Sequence, residues 1–146
     1  MKELVTGKSD WLGTKAMDSN EWVHVLTKHE ILEIDAALQH CLTRGVSIEA
    51  LTKDEFPLSK ILELIKKIQT QLEDGWSIFL IRGLPTEPYT KEQLRLIYWG
   101  LGLHLGTAVS QSKRGDLLGD VRDLGTPLDG PKFRGYTSSG ELTYHA

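Results

Sequence analysis

The uneven distribution of glycine is the sequence feature that most constrains this fold. Nine of the 14 glycines lie between Gly100 and Gly140, whereas the first 99 residues contain five. Glycine is unfavourable inside helices and common in turns. The sequence therefore predicts long helices before about residue 100, followed by short strands and loops.

Two of the predicted helices begin with capping boxes, in which a Thr hydroxyl and a Glu or Gln side chain bond each other's backbone amides. The first starts at Thr27 and runs to about Arg44, where Gly45 suits the left-handed end of a helix. The second starts at Thr90 and ends near Gly106. Both sequences carry apolar residues at helical spacing, so each helix is expected to bury one face.

A further helix is predicted to start after Phe56-Pro57, because proline is tolerated in a first turn, and to end at Gly75. Each predicted helix has an apolar stripe. In chain order these stripes are Ile31, Ile34, Leu38, Cys41 and Leu42; Leu58, Ile61, Leu62, Ile65, Ile68 and Leu72; and Leu94, Ile97, Tyr98 and Leu101.

Four segments fit short strands. Residues 22–26 alternate in polarity, and a strand or a helical turn would explain them equally well. Residues 76–81 are short and apolar, which predicts a strand buried on both faces. Residues 116–124 and 141–145 are predicted as two more strands, joined by a loop at 125–135 that is rich in Pro and Gly.

Length and composition indicate one folded domain over residues 1–146, with residues 1–20 as a less ordered extension. The 17 basic and 20 acidic residues give a net charge of −3, which argues against a nucleic-acid partner. No apolar run is long enough for a signal or a membrane span. A single cysteine, Cys41, agrees with a reducing compartment, so a cytoplasmic protein is expected.

The most suggestive motif is Gly100-Leu-Gly-Leu-His-Leu-Gly106, which resembles a phosphate-binding glycine loop. A dinucleotide-binding loop needs GxGxxG between a strand and the start of a helix, but this GxGxxxG comes at a helix's end. A structural interpretation is favoured, in which small residues let the helix pack closely. The paired Ser138-Ser139 has no evident base and is interpreted as a turn.

Five histidines are the candidate nitrogen ligands, and four of them favour structural roles: His24, His29, His40 and His104. His145 differs in its setting. In a strand at 141–145, Glu141, Thr143 and His145 would project from one face and two apolar residues from the other. Such a polar face suits either a cavity lining or a solvent-exposed edge strand.

An ordered set of segments carries a resemblance to a known family. The segments are Phe79-Leu-Ile-Arg-Gly-Leu-Pro85, Leu101-Gly-Leu-His-Leu-Gly106, Gln111, and Arg134-Gly-Tyr-Thr-Ser-Ser-Gly-Glu-Leu-Thr-Tyr-His145. From about Trp22 to its end, the chain resembles the N-terminal half of the taurine catabolism dioxygenase (TauD/TfdA) family of iron(II)- and 2-oxoglutarate-dependent oxygenases.

The resemblance implies an α+β fold, in which N-terminal helices pack beside the first strands of a truncated double-stranded β-helix (jelly-roll, clavaminate synthase-like). It implies iron(II) as cofactor and 2-oxoglutarate and O₂ as co-substrates, with His145 as the first metal ligand. Glu141 is the best candidate for substrate contact. Gln111, Arg134 and Tyr136 are further candidates, although a turn, a surface charge and a core aromatic would explain them as well.

The chain departs from the family pattern at its end. The family's H-x-[DE] pair would place a carboxylate one residue beyond Ala146, and the second His and the Arg for 2-oxoglutarate have no counterpart here. The chain therefore carries at most one of three iron ligands, and a single imidazole cannot hold the metal. We expect an inactive fragment of an oxygenase that acts on a small organic substrate, with homo-oligomer formation left open.

Two alternatives to an oxygenase fragment are also consistent with the sequence. Three amphipathic helices could bury a modest core, so the chain could be a non-catalytic α+β binding or interaction module. Cooperative unfolding would favour that module, whereas a truncated β-helix would expose unpaired strand edges. A pseudoenzyme that keeps the fold without iron is a third interpretation.

Overall fold

A computed structural model describes residues 6–110 and 115–125 of the chain. The described residues up to Ala108 belong to one compact unit and those from Val109 to a second. The first unit contains four α-helices and two short strands among its described residues: α1 (Gly13–Met17), β1 (Val23–Val25), α2 (Lys28–Arg44), α3 (Leu62–Glu73), β2 (Leu80–Arg82) and α4 (Lys91–Leu105).

The two strands pair in parallel, with Val23 opposite Leu80, His24 opposite Ile81 and Val25 opposite Arg82. The strand at 22–26 is thus confirmed in preference to the helical turn. The connection between the strands contains α2, a 3₁₀ turn at Ile48–Ala50 and α3. Parallel strands need such a long crossover, and here the crossover supplies most of the core.

The core lies among α2, α3, α4 and the loop that precedes α3. Its largest fully buried side chain is Phe56. The other members of the buried cluster are Leu26, Ile34, Ala37, Leu38, Cys41, Leu51, Ile61, Leu64, Ile65, Ile68 and Ile97. The helical face predicted for α2 therefore packs inward over Ile34, Leu38 and Cys41 as expected.

Both predicted capping boxes are present. Thr27 and Thr90 accept from the backbone N–H of Glu30 and Gln93, and each of these side chains bonds the backbone N–H of its threonine. Gly45 ends α2 at φ 63°, as predicted. Gly106 ends α4 in an extended conformation instead, and the amide of Gln69 donates to the Leu105 carbonyl at 3.0 Å.

The helix predicted after Phe56-Pro57 begins later, at Leu62. Residues 59–61 form a turn whose N–H groups bond the Glu33 side chain, so Leu58 lies before the helix, although it still packs on the core. The stripe prediction also missed buried Leu64. It was wrong for Leu42 of α2 and Leu72 of α3, which are 40% and 42% exposed, and for Tyr98 of α4, which is 68% exposed.

The predicted strand at 76–81 is shorter than expected and is not buried on both faces. The N–H groups of Trp76 and Ser77 bond Gln71 and so close the end of α3. Ser77 also has a positive φ of 57°, which interrupts extended backbone. Only Leu80–Arg82 pairs with β1, and Leu80 is 43% exposed while Ile81 packs on the core.

The described residues of the second unit differ from the strand predicted there. Residues 115–125 contain no strand, although 116–124 were expected to form one. Gly119 interrupts the segment, and Val121 and Leu124 are exposed, so no buried face favours extended pairing there. Residues 126–146, with the predicted strand at 141–145, lie outside the described residues, so the truncated jelly-roll stays a prediction.

The segment predicted to be a less ordered extension, residues 1–20, contains the short helix α1. No helix in the described ranges is long and apolar enough to cross a membrane.

Candidate functional site

The residues predicted to form the functional site all lie outside the described parts of the chain. They are His145, Glu141, Gln111, Arg134 and Tyr136. Their roles stay predictions. Within residues 6–110 and 115–125, no three His, Cys, Asp or Glu side chains are grouped so that they could hold a metal ion.

The structure does explain His24, which lies on β1 and faces the start of α2. Its Nε2 atom is 3.0 and 3.1 Å from the two carboxylate oxygens of Glu30. The same carboxylate accepts from the backbone N–H of Thr27 at 2.7 Å. Burial acts to raise the pKa of Glu30, but the hydrogen bonds from Thr27 and His24 outweigh it and lower the pKa. The carboxylate thus joins strand and helix.

His104 is the second histidine with a structural role, and it lies within the glycine-rich motif. Its Nε2 atom is 2.8 Å from the Phe56 carbonyl oxygen, so this nitrogen carries the proton and donates. One turn earlier, Gly100 lies against the Phe56 ring, and a Cβ there would overlap the ring. The prediction that a small residue permits close packing is confirmed at Gly100. No neighbour lies within 4 Å of a Cβ built at Gly102 or Gly106.

Glu33 is a polar residue that the sequence analysis missed. It projects from α2 to the start of α3, where its carboxylate accepts from Lys60 N–H at 2.9 Å, from Ile61 N–H at 3.2 Å and from both the N–H and the hydroxyl of Ser59. Burial acts to raise the pKa of Glu33, but these hydrogen bonds lower it overall. The residues are 26 to 28 positions apart, so no local motif signals the contact.

Two further titratable groups have raised pKa values. Burial, and then the Asp35 charge and hydrogen bond, raise the pKa of the Tyr89 phenol, which donates to that carboxylate. Burial, and then the Glu55 charge, raise the pKa of the Cys41 thiol, which donates to the Glu55 carbonyl at 2.8 Å. Since the thiolate is the reactive form, Cys41 is an inert core residue.

These groups share one property: each joins two elements of the first unit. His24 and Glu30 join β1 to α2, Glu33 joins α2 to α3, and His104 joins α4 to the Phe56 loop. None has the donor set of a metal centre or the nucleophile and base of a hydrolase. In the described first unit, these contacts hold neighbouring elements together.

Comparison with known proteins finds a relative that aligns with the whole chain. The chain is 33% identical over 147 aligned residues to FR-33289 synthase of Streptomyces rubellomurinus. The alignment covers 100% of this chain and 43% of that protein, so the chain spans less than half the length of the relative. No family model matches the chain.

Proposed function

We propose that this chain is the N-terminal part of an iron(II)- and 2-oxoglutarate-dependent oxygenase of the taurine catabolism dioxygenase family. The protein would hydroxylate or oxidatively cleave a small organic substrate, with release of succinate and CO₂. The observation that carries the proposal is the 33% identity along the whole chain to a protein named as a synthase. The ordered motifs that end in Tyr144-His145 support it from within the sequence.

The described residues do not supply an iron site, because no three ligating side chains are grouped there. In the proposal this chain contributes one ligand, His145, and the other ligands belong to the remainder of the protein. When bound, iron(II) with 2-oxoglutarate and O₂ would supply the oxidising chemistry, with O₂ as the oxidant, and a two-His, one-carboxylate set leaves coordination positions open for both co-substrates. Glu141 would lie on the substrate side, with Gln111, Arg134 and Tyr136 as further candidates.

The first unit would act as the scaffold of this enzyme. A binding constellation must be held within fractions of an ångström, and rigid supporting contacts provide that precision. The Glu33 bonds to α3 and the His104 bond to the Phe56 carbonyl are contacts of this kind. In the proposal, α2, α3 and α4 bear no catalytic group.

The decisive experiment uses the protein encoded by the complete reading frame. Under anaerobic conditions, adding 2-oxoglutarate to the iron(II)-loaded protein should produce a visible charge-transfer absorption band, whatever the prime substrate is. His145→Ala should abolish the band. The exposed His29, at the start of α2, provides the control, and His29→Ala should keep it.

Two results would overturn the proposal: no band and no calorimetric 2-oxoglutarate binding in the wild type, or an unchanged band in the His145 variant.

A non-catalytic interaction module is the second candidate. It is favoured by the compact first unit, which has its own buried cluster. Iron-dependent formation of succinate by the complete protein would exclude it.

A further inference from the structure

Residues 7–22, here called the N-terminal strap, are fastened to Trp76 by tryptophan contacts. The indole N–H of Trp11 donates to the Trp76 carbonyl oxygen at 2.8 Å, and the two ring centroids are 6.4 Å apart with an interplanar angle of 46°. In the opposite direction, the Trp76 indole N–H donates to the Glu21 carboxylate at 3.1 Å. Trp76 therefore binds the strap near both of its ends.

The strap has little stability of its own. Its helix, α1, has five residues and no side-chain cap, and a helix this short is not stable in isolation. Ala16 is its buried residue, but it is not a member of the core cluster. Met17 is 83% exposed. Within the strap, the Trp22 indole N–H donates to the Ala16 carbonyl at 2.8 Å. The contacts with Trp76 are those that join the strap to the connection between α3 and β2.

Trp76 lies in the connection between α3 and β2, where the backbone is strained. Ser77 has φ 57°, a left-handed conformation that is unfavourable for a residue with a Cβ. Trp11 bonds the carbonyl directly before Ser77. At the other end of the connection, the Leu80 N–H donates to the Trp22 carbonyl at 2.7 Å. The strap thus holds the connection on both sides of Ser77.

We propose that the N-terminal strap is a latch that opens and closes on Trp76 as a unit separate from the helical core. Its closure holds the connection between α3 and β2 in its left-handed conformation. Segments with few buried apolar contacts open locally without global unfolding. Opening of the latch releases the Trp76 carbonyl and indole together and loosens the start of β2.

Hydrogen exchange of the full chain tests the latch, with Trp11→Phe as the main variant. Loss of one indole hydrogen bond should raise the opening equilibrium about three- to tenfold. The amides of Asp18 and Ser77, which are bonded within and beside the latch, should exchange faster by that factor. Amides of the α2 core, such as that of Leu38, should keep their rates. Leu12→Ala, an exposed change inside the strap, is the matched control and should leave Ser77 unchanged.

A second pair of variants, at Glu21, separates the effect of the hydrogen bond from the Trp76 indole from the effect of the Glu21 charge. Glu21→Gln keeps an acceptor for the Trp76 indole, whereas Glu21→Ala removes it, so only the alanine variant should accelerate exchange at Ser77. Equal acceleration in the strap and in α2 would show a single cooperative unit and overturn the proposal. Unchanged exchange at Asp18 and Ser77 in both Trp11→Phe and Glu21→Ala would overturn it as well.

Discussion

The carboxylate of Glu33, on α2, accepts a hydrogen bond from the backbone N–H of Ser59 and so caps the turn that leads into α3. The Leu62 and Glu63 N–H groups of α3 bond the Ser59 and Lys60 carbonyls of this turn, and the partial positive charge at the start of a helix also favours a nearby carboxylate. Ile61, at the N-terminal end of α3, makes no side-chain cap of its own. Glu33 therefore binds the turn that leads into α3 and joins it to α2.

Glu33→Gln should lower the free energy of unfolding by about 1–2 kcal/mol, because the amide has one acceptor oxygen and no charge. Urea denaturation followed by circular dichroism measures the change. Glu63→Gln is the matched control, since that exposed carboxylate of α3 bonds Lys66 at 3.1 Å on the protein surface. It should cost no more than about 0.5 kcal/mol. Equal losses in the two variants would contradict the capping role.

The same contact predicts a pH dependence. The pKa of Glu33 is lowered from its ordinary value of 4.5, so near that pH the folded chain binds fewer protons than the unfolded chain. Stability from this group is therefore complete above about pH 4.5 and is lost as the pH falls through the folded value. Unfolding free energies measured between pH 3 and pH 6 should fall less steeply toward acid in Glu33→Gln than in the wild type. A parallel fall in both proteins would count against this assignment.

The helices could be predicted where their signals are local. Thr27 and Thr90 lie three residues before their Glu and Gln partners, so both starts were found from the sequence. The start of α3 depends on Glu33, which is 26 residues from Ser59, and no pattern in a window shows such a contact. The predicted start was therefore several residues too early.

The strands and the site were harder to predict for a related reason. An apolar run at 76–81 suggests a buried strand. However, the N–H groups of Trp76 and Ser77 bond Gln71 at the end of α3, so the first residues of the run do not join the sheet. A strand also needs a partner, and partners are fixed by tertiary structure rather than by the run itself. The prediction of His145 as a metal ligand depends on family resemblance. The alternation of polar and apolar residues at 141–145 fits a cavity lining and a solvent-exposed edge strand equally well.

The two capping boxes differ in the charge of the side chain that closes them, which is Glu30 in α2 and Gln93 in α4. Gln93 closes the box of α4 without a charge, so Glu30→Gln should preserve the box of α2 and cost only about 0.5 kcal/mol for the weaker contact with His24. Glu30→Ala removes the box bond that the Thr27 N–H donates to the carboxylate, together with the His24 contact, and should cost about 1–2 kcal/mol. Gln93→Ala and Gln93→Glu are the corresponding controls in α4. If Glu30→Gln were as destabilising as Glu30→Ala in thermal unfolding, the charge rather than the box would hold the helix start.

The glycine-rich motif gives the sharpest pair of variants, because two glycines of one helix meet opposite surroundings. At Gly100 a new methyl group would overlap the fully buried ring of Phe56, so Gly100→Ala should destabilise the fold by about 1–3 kcal/mol through overpacking. At Gly102 nothing lies within 4 Å of the added carbon, so Gly102→Ala should stabilise α4 by about 0.5–1 kcal/mol. Chemical denaturation of both variants measures the two changes. Equal effects at both positions would show that helix propensity dominates, whereas opposite signs identify Gly100 as the residue that lets α4 approach Phe56.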